Sequence, residues 1–413
     1  MHLAVISPFL DRAHGTERNL IEQLERFPVG GEMELHIYAQ RLQDLSMALP
    51  YRAGKQLPAA QPGKKALWHR VPTIPGPHLL QYIFWFHANR ICRWWDAKYR
   101  NLKCELTYSP GINASDADCI AVHMVFHEFH RLVISELSFR RNPVAHWPRL
   151  LHRRLYYRLI MVLEKTIYAN TEVALAAVSS LVAEQMDRYF ERTDVRVIRH
   201  GVDAERLSPS RKLARRASAR QEFGLRAEDF ALLLIGNDWK VKGLDGLLCA
   251  LPALHDLPWK LLVVGNDVRG PYQRIIRDSG LSDRVSFLAT SPDVLQFYAA
   301  ADAYVGPSLQ DSYGLPVVEA MSCGLPVISS SRAGVSEIIE NGVNGLILCD
   351  PSNTHEISFA IRSLISNPDL CLKLGAQARQ TALKETWDRN AQATWDWLNE
   401  ALRRKRGLPP VGS

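Results

Sequence analysis

The second half of the chain alternates short, continuously apolar runs with segments of helical spacing. The runs are ALLLIG (231–236), WKLLVVG (259–265), RVSFLA (284–289), AYVGP (303–307), PVISS (326–330) and NGLIL (344–348). Between them, residues 242–254, 271–280, 293–301 and 316–323 repeat apolar positions at three- and four-residue intervals, which predicts helices. Uninterrupted apolar strands separated by helices predict a parallel sheet covered on both faces. That is a doubly wound α/β domain, whose ligands bind beyond the carboxyl ends of its strands.

The first half opens in the same rhythm. HLAVISP (2–8), a helix near 15–27 and ELHIYAQ (34–40) are followed later by ELTYSP (105–110) and DCIAVHMVF (118–126). A long helix at about 148–168 and the strand VALAAVS (173–179) come next. The expected organisation is a first domain over 1–200 with an insertion at about 45–103, and a second over 201–388. A last helix, 389–413, is expected to return to the first domain.

Composition narrows the class. With 413 residues, 47% hydrophobic and 23% charged, the chain is neither collagen-like, coiled-coil nor disordered. No apolar run reaches the roughly 18 residues that span a bilayer. The apolar start meets Asp11 with no basic residue before it, so it reads as a buried strand rather than a signal peptide, and a cytoplasmic location is expected. Seven scattered cysteines without a Cys-x-x-Cys pair predict buried free thiols, not disulfides or zinc. The net charge of +7 lies wholly in residues 1–200, with 26 basic and 19 acidic residues. Residues 51–160 alone hold 17 basic against 6 acidic, so this half is expected to face something anionic.

The segment PSLQDSYGLPVVEAMSCGLPVISS (307–330) carries the clearest chemistry. A strand ends near Gly306, a loop holds Asp311 and Gly314, and a helix opens at Pro316, where a missing N–H is no loss. Free amides at such a helix start suit a phosphate. Glu319, one turn in, is placed to accept hydroxyl hydrogen bonds from a sugar ring. A second segment, LLLIGNDWKVKGLDGLLCAL (232–251), runs a strand into a loop where Lys242-Gly243 opens a helix. HGTERNLIEQL (14–24) puts Gly15 at the start of the first helix. DCIAVHMVFHEFHR supplies His123, His127 and His130, whose spacing does not make a metal site. The triplet Asp116-Ala117-Asp118 and the sequon Asn113-Ala114-Ser115 match common short patterns and are set aside.

Taken whole, 307–330 resembles the donor-site signature of the retaining glycosyltransferases of family 4: an acid, seven residues, a Glu, Ala-Met and a Gly-Leu-Pro-Val strand. The acids here are Asp311 and Glu319, with Asp standing where the family usually has Glu. The resemblance implies the α/β GT-B fold, two Rossmann-like doubly wound domains facing each other across a cleft. It assigns Glu319 to the donor's ribose hydroxyls, Asp311 to the donor sugar, and the amides around Gly314, Leu315 and Val317 to its phosphates. Lys242 falls to the diphosphate; the family's Arg position is held by Asn237, with Lys240 nearby. Gly15 stands in the family's glycine loop, and His123, or else His127, in the place of its active-site histidine. No metal or other cofactor is expected, the nucleotide-diphosphate sugar being the donor substrate. The implied reaction is retaining transfer of a hexosyl unit to a hydroxyl of a glycan or glycolipid, as in the bacterial enzymes of lipopolysaccharide and surface-glycan synthesis. A GT-B sugar-nucleotide epimerase and a non-catalytic nucleotide-sugar-binding protein remain alternatives.

Two stretches, 78–103 and 139–160, interleave aromatic and basic residues. Trp85, Arg90, Arg93, Trp94 and Trp95 suit the surface of an anionic membrane. The expected partners are therefore a nucleotide-sugar donor, a glycan or glycolipid acceptor and the inner face of a plasma membrane, with no nucleic acid.

Overall fold

A computed structural model describes residues 1–12, 14–27, 33–45, 48–50, 65–134 and 147–409. The chain forms two compact units, Met1–Arg199 with Asp388–Ser413, and His200–Trp387.

The first unit runs β1 (His2–Ile6), β2 (Phe9–Leu10), α1 (Gly15–Arg26), β3 (Glu34–Ala39), β4 (Arg41–Leu42), β5 (Ala48–Pro50), β6 (Lys65–Arg70) and α2 (His78–Tyr99). It continues through β7 (Leu106–Pro110), β8 (Cys119–Val122), α3 (Phe126–Val133), α4 (Trp147–Tyr168), β9 (Ala174–Ala177), α5 (Ser180–Phe190) and β10 (Arg196–Val197). Among the described residues its main sheet has eight strands in the order β10-β9-β8-β7-β1-β3-β6-β5. Every pairing in it is parallel. The chain steps outward from β1 through β3 to β6, then restarts with β7 on the other side of β1. The crevice at that reversal, beyond the carboxyl ends of β1 and β7, is where such sheets bind ligands.

Two expectations change here. The supposed insertion is part of the sheet: β6 pairs with β3 from Glu34–Lys65 to Ala39–Arg70, and α2 is the crossover back to β7. Its run KALWHR hides the strand because only three of its residues, Ala66 to Trp68, are apolar, and a buried His69 and an exposed Arg70 follow them. Residues 46–47 and 51–64 of that stretch lie outside the described residues. The strand expected over 118–126 stops at Val122, so His123 lies just past its end, while His127 and His130 are on α3.

The second unit contains α6 (Pro209–Glu222), β11 (Phe230–Ile235), α7 (Leu244–Ala250), β12 (Trp259–Val264), α8 (Gly270–Asp278), β13 (Val285–Leu288) and α9 (Leu295–Ala300). After these come β14 (Ala303–Gly306), α10 (Leu315–Ser322), β15 (Val327–Ser330), β16 (Leu346–Leu348), α11 (Thr354–Ile365) and α12 (Pro368–Ala382). The six strands are parallel in the order β13-β12-β11-β14-β15-β16. Numbered within the unit this is 3-2-1-4-5-6, the dinucleotide-fold order, with its reversal between β11 and β14. Leu232, Leu234, Leu261, Val263, Val305 and Ile328 fill the core between sheet and helices.

The last helix, α13 (Trp387–Lys405), packs into the first unit. Trp397, Leu398, Ala401 and Leu402 join a core that contains Leu3, Val5 and Ile21. Asn390 and Thr394 accept hydrogen bonds from the buried Gln23 amide at 3.0 and 3.1 Å. All seven cysteines are free, but Cys249 and Cys349 are exposed, against the expectation of buried thiols. Among the described residues no helix is long and apolar enough to cross a membrane.

Candidate functional site

The loops after β11 and β14 meet at the reversal point of the second unit. Gly243, the N-cap of α7, has φ +79°, and a Cβ there would stand 1.9 Å from the Pro307 carbonyl oxygen. Only glycine permits that approach. Leu309 donates its amide to Val241 at 2.8 Å, which ties one loop to the other. The Lys242 side chain runs along Gly236, where a Cβ would fall 2.9 Å from its Cε, and its ammonium reaches Asp311 Oδ2 at 2.5 Å. Both side chains keep some solvent access, 21% and 16%. The structure thus brings Lys242 and Asp311 together.

The Asp311 loop is held from behind. Asp311 N–H donates to Arg332 O at 3.0 Å, Gly334 N–H to Asp311 O at 2.9 Å and Val335 N–H to Tyr313 O at 2.6 Å. The buried Tyr313 hydroxyl donates to His200 O at 3.1 Å. Gly314, at φ +102°, then opens α10. Of the three amides expected at the phosphates, that of Val317 is donated to the Gly314 carbonyl at 2.9 Å. Gly314 and Leu315 remain at the positive end of the helix.

Glu319 is buried on α10, and its Oε2 accepts from the Tyr298 hydroxyl of α9 at 2.7 Å. Burial pushes the Tyr298 phenol far above its usual range, and the neighbouring carboxylate adds to this, so it is a permanent donor. Tyr298 was not legible as a site residue, because its contact spans 21 positions and LQFYAA reads as ordinary core. Asn237 is exposed, and its side-chain oxygen accepts the Asn266 amide at 3.0 Å, joining the β11 and β12 loops. It does not stand as a substitute for an arginine charge. Lys240 is exposed on the same loop.

In the first unit, a pocket of about 200 Å³ sits at the ends of β7 and β8, with Thr16, Gly111, Asn113, His123 and Tyr156 in its wall. The structure therefore brings His123 beside the α1 start that follows Gly15. Burial pushes the His123 imidazole down to about 4, so it is neutral at physiological pH. His127 is used differently: its Nδ1 lies 2.6 Å from Glu164, which also accepts the backbone amides of Phe126 and His127 at 2.6 and 3.1 Å. Glu164 is fully buried and caps α3, a function its place in the apolar run LIMVLEKTIY conceals. His130 packs edge-on to Tyr157.

The surface proposed for α2 divides. Arg90, Trp94 and Trp95 are exposed, and Lys98 lies over the Trp94 ring at 4.8 Å. Trp85 and Arg93 do not belong to that surface. Trp85 is 2% exposed, on the helix face it shares with Asn89 and Asp96. Arg93 is folded back onto Asp116 at 2.6 and 3.1 Å and Asn89 at 3.1 Å. The acids of the Asp-x-Asp triplet are likewise taken, Asp118 by Lys405 at 2.8 Å and by Thr107. Residues 139–146 of the second aromatic stretch lie outside the described residues.

Residues 215–381 match the family model of glycosyl transferases group 1. A D-inositol 3-phosphate glycosyltransferase of Corynebacterium jeikeium is 28% identical over 265 residues, 61% of this chain and 61% of that protein. The chain spans about half to three-fifths of the length of the curated relatives it matches. Among solved structures, WaaG, a glycosyltransferase involved in lipopolysaccharide biosynthesis, superposes with a TM-score of 0.74 at 17% identity, covering 95% of this chain and 98% of WaaG. Anabaena Alr3699/HepE in complex with UDP-glucose gives 0.64 at 19% identity, covering 97% and 99%. The two parallel-sheet units thus have the GT-B fold, and the second holds the segment that matches the glycosyl transferases group 1 model.

Proposed function

We propose that this chain, with its glycosyl transferases group 1 domain, is a retaining glycosyltransferase that moves a hexosyl unit from a nucleotide-diphosphate sugar to a hydroxyl of a glycan or glycolipid. The observation that carries this reading is the convergence of Lys242, Asp311, the Gly314 helix start and buried Glu319 at the reversal point of the second sheet. One cation and two backbone amides there suit a diphosphate, and a buried carboxylate one turn away suits vicinal hydroxyls. UDP-glucose in the HepE complex supports a nucleotide sugar as donor.

In this mechanism the bond from the sugar's anomeric carbon to the diphosphate breaks, and the acceptor oxygen bonds to that carbon from the same face. The acceptor proton passes to the departing phosphate oxygen. Lys242 and the Gly314 and Leu315 amides stabilise the growing negative charge, a contribution of the oxyanion-hole kind. The pocket holding His123 is assigned to the acceptor, with the neutral imidazole as a positioning group. The lipopolysaccharide role of WaaG and the exposed aromatic and basic face of α2 favour a lipid-linked acceptor at the inner face of the plasma membrane. The inositol phosphate named for the sequence relatives is the second acceptor class.

The test is thermal stabilisation by UDP-, GDP- and ADP-sugars, followed by product analysis with and without acceptor. One donor at 100-fold excess over its Kd stabilises by roughly 2.7 kcal/mol, and Glu319→Ala abolishes the shift. Transfer only with acceptor present supports the reading. Epimerised donor without acceptor, or binding without turnover, overturns it.

A further inference from the structure

At the amino-terminal ends of the first sheet, opposite its ligand crevice, lies a cluster that the transfer chemistry does not use. His2 on β1 pairs in register with Glu34 on β3, and His36, two residues on, shares the face of Glu34. His2 Nδ1 stands 3.3 Å from His36 Nε2 and 3.1 Å from Glu34 Oε2, and the last two atoms are 3.7 Å apart. Ligand atoms at about 2.0–2.1 Å from a zinc ion in a tetrahedral site are separated by about 3.3 Å. The three atoms therefore outline one face of such a tetrahedron. Among the described residues this is the one group of three or more His, Cys, Asp or Glu side chains close enough to hold an ion.

A chain of polar contacts behind His36 favours one tautomer. Asp96 accepts from the Arg100 guanidinium at 2.6 Å and the Tyr38 hydroxyl at 3.0 Å, as an ionised carboxylate does. His69 Nδ1 lies 2.8 Å from Asp96 Oδ2, and this negative oxygen favours the ring's proton on Nδ1, with Nε2 as the acceptor. His36 Nδ1, 3.1 Å away, donates to it, leaving the lone pair of His36 Nε2 facing His2 and Glu34. The His69 ring is fixed by stacking on Tyr38, with centroids 4.5 Å apart. A metal-ligating imidazole whose other nitrogen donates into such a chain is the usual outer-shell arrangement.

We propose that His2, Glu34 and His36 bind a first-row divalent cation, zinc by preference, through Nδ1, a carboxylate oxygen and Nε2. Two imidazoles and one carboxylate suit zinc. The His2 and Glu34 side chains are 48% and 33% exposed and His36 is fully buried, so the fourth position opens to water. The ion cross-links β1 to β3 at the strand ends remote from the crevice, and its role is to brace the sheet.

The full chain, stripped with a chelator, is titrated with Co²⁺ alone and then with Zn²⁺. The expected result is one equivalent of Co²⁺ with the visible absorption of a four- or five-coordinate nitrogen–oxygen site, displaced by Zn²⁺, together with a rise in unfolding temperature. His2→Ala and Glu34→Gln, both at solvent-accessible positions, each weaken binding at least tenfold while circular dichroism stays native. Non-saturating binding, wild-type affinity in both variants, or near-ultraviolet thiolate charge-transfer bands would overturn the assignment.

Discussion

The ammonium of Lys242 and the carboxylate of Asp311 meet at 2.5 Å across 69 positions of sequence, each at the end of a different strand of one sheet. In the proposed reaction a diphosphate at the Gly314 helix start would compete with Asp311 for that ammonium. Lys242→Ala removes the cation and is expected to lower kcat/KM about 10²–10³-fold, the range for one preorganised donor to developing charge. Asp311→Asn keeps the shape but frees the lysine, and a smaller loss is expected. Steady-state kinetics on the donor identified by thermal shift checks both; near-native turnover in Lys242→Ala ends the site assignment.

Tyr298 and Glu319 form a buried donor–carboxylate pair. Tyr298→Phe keeps the ring and deletes the donor, and a hydrogen bond to a charged group contributes roughly 1.5–3 kcal/mol. The variant should lose about that much stability, and the loss should shrink by about half in a Glu319→Gln background, where the acceptor is a neutral amide oxygen. Denaturant unfolding of the four proteins of this double-mutant cycle checks it. Equal losses in both backgrounds would show that the pair is uncoupled.

What the sequence disclosed follows from how each feature is built. The second sheet was legible strand by strand because β11, β12, β14 and β15 are covered on both faces and so are mainly apolar. Lys242, Gly314 and Glu319 were legible because each is fixed by a local strand–loop–helix pattern. Strand β6 was not, because Leu67 and His69 alternate with partly or fully exposed Trp68 and Arg70 near the sheet edge. Tyr298, Glu164 and the His2–Glu34–His36 cluster depend on contacts between distant segments, which leave no mark in local spacing. The faces of α2 were not legible for a related reason: the sequence shows aromatic and basic residues along the whole segment, but helical phase decides which of them face water. Trp85 shares its face with Asn89 and Asp96, while Trp94 and Trp95 fall outside it.

That phase makes the membrane reading sharp. Arg90, Trp94 and Trp95 are exposed on α2, beside Ile91 and Tyr99. Sedimentation with anionic vesicles should fall about fivefold in Arg90→Ala, corresponding to roughly 1 kcal/mol for one basic residue. The Trp94→Ala, Trp95→Ala double variant should lose more, and all binding should weaken with salt. Trp85→Ala should instead lower stability by about 3–5 kcal/mol, as expected for a large core side chain. Vesicle binding that is unchanged in the surface variants would remove α2 from the interface.

His123 gives the chain a pH signature whose sign is fixed by its burial. Its folded pKa is pushed down to about 4, whereas an unfolded histidine titrates near 6.5. Between those values the unfolded chain binds the proton and the folded one does not, so stability falls as pH drops through this window and is unaffected above it. Over about 2.5 pH units the contribution is at most about 3 kcal/mol, and less to the extent that water in the pocket solvates the ring. His36, pushed down to about 3 mainly by burial, acts in the same direction, so the His123 share is read by difference. Chemical denaturation of wild type and His123→Asn from pH 4 to 8 should give stability curves that run parallel above pH 6.5. Below it the wild type should fall more steeply. Parallel curves throughout would mean that the ring is solvated and titrates normally, and with it the proposed role of His123 as a neutral positioning group would be lost.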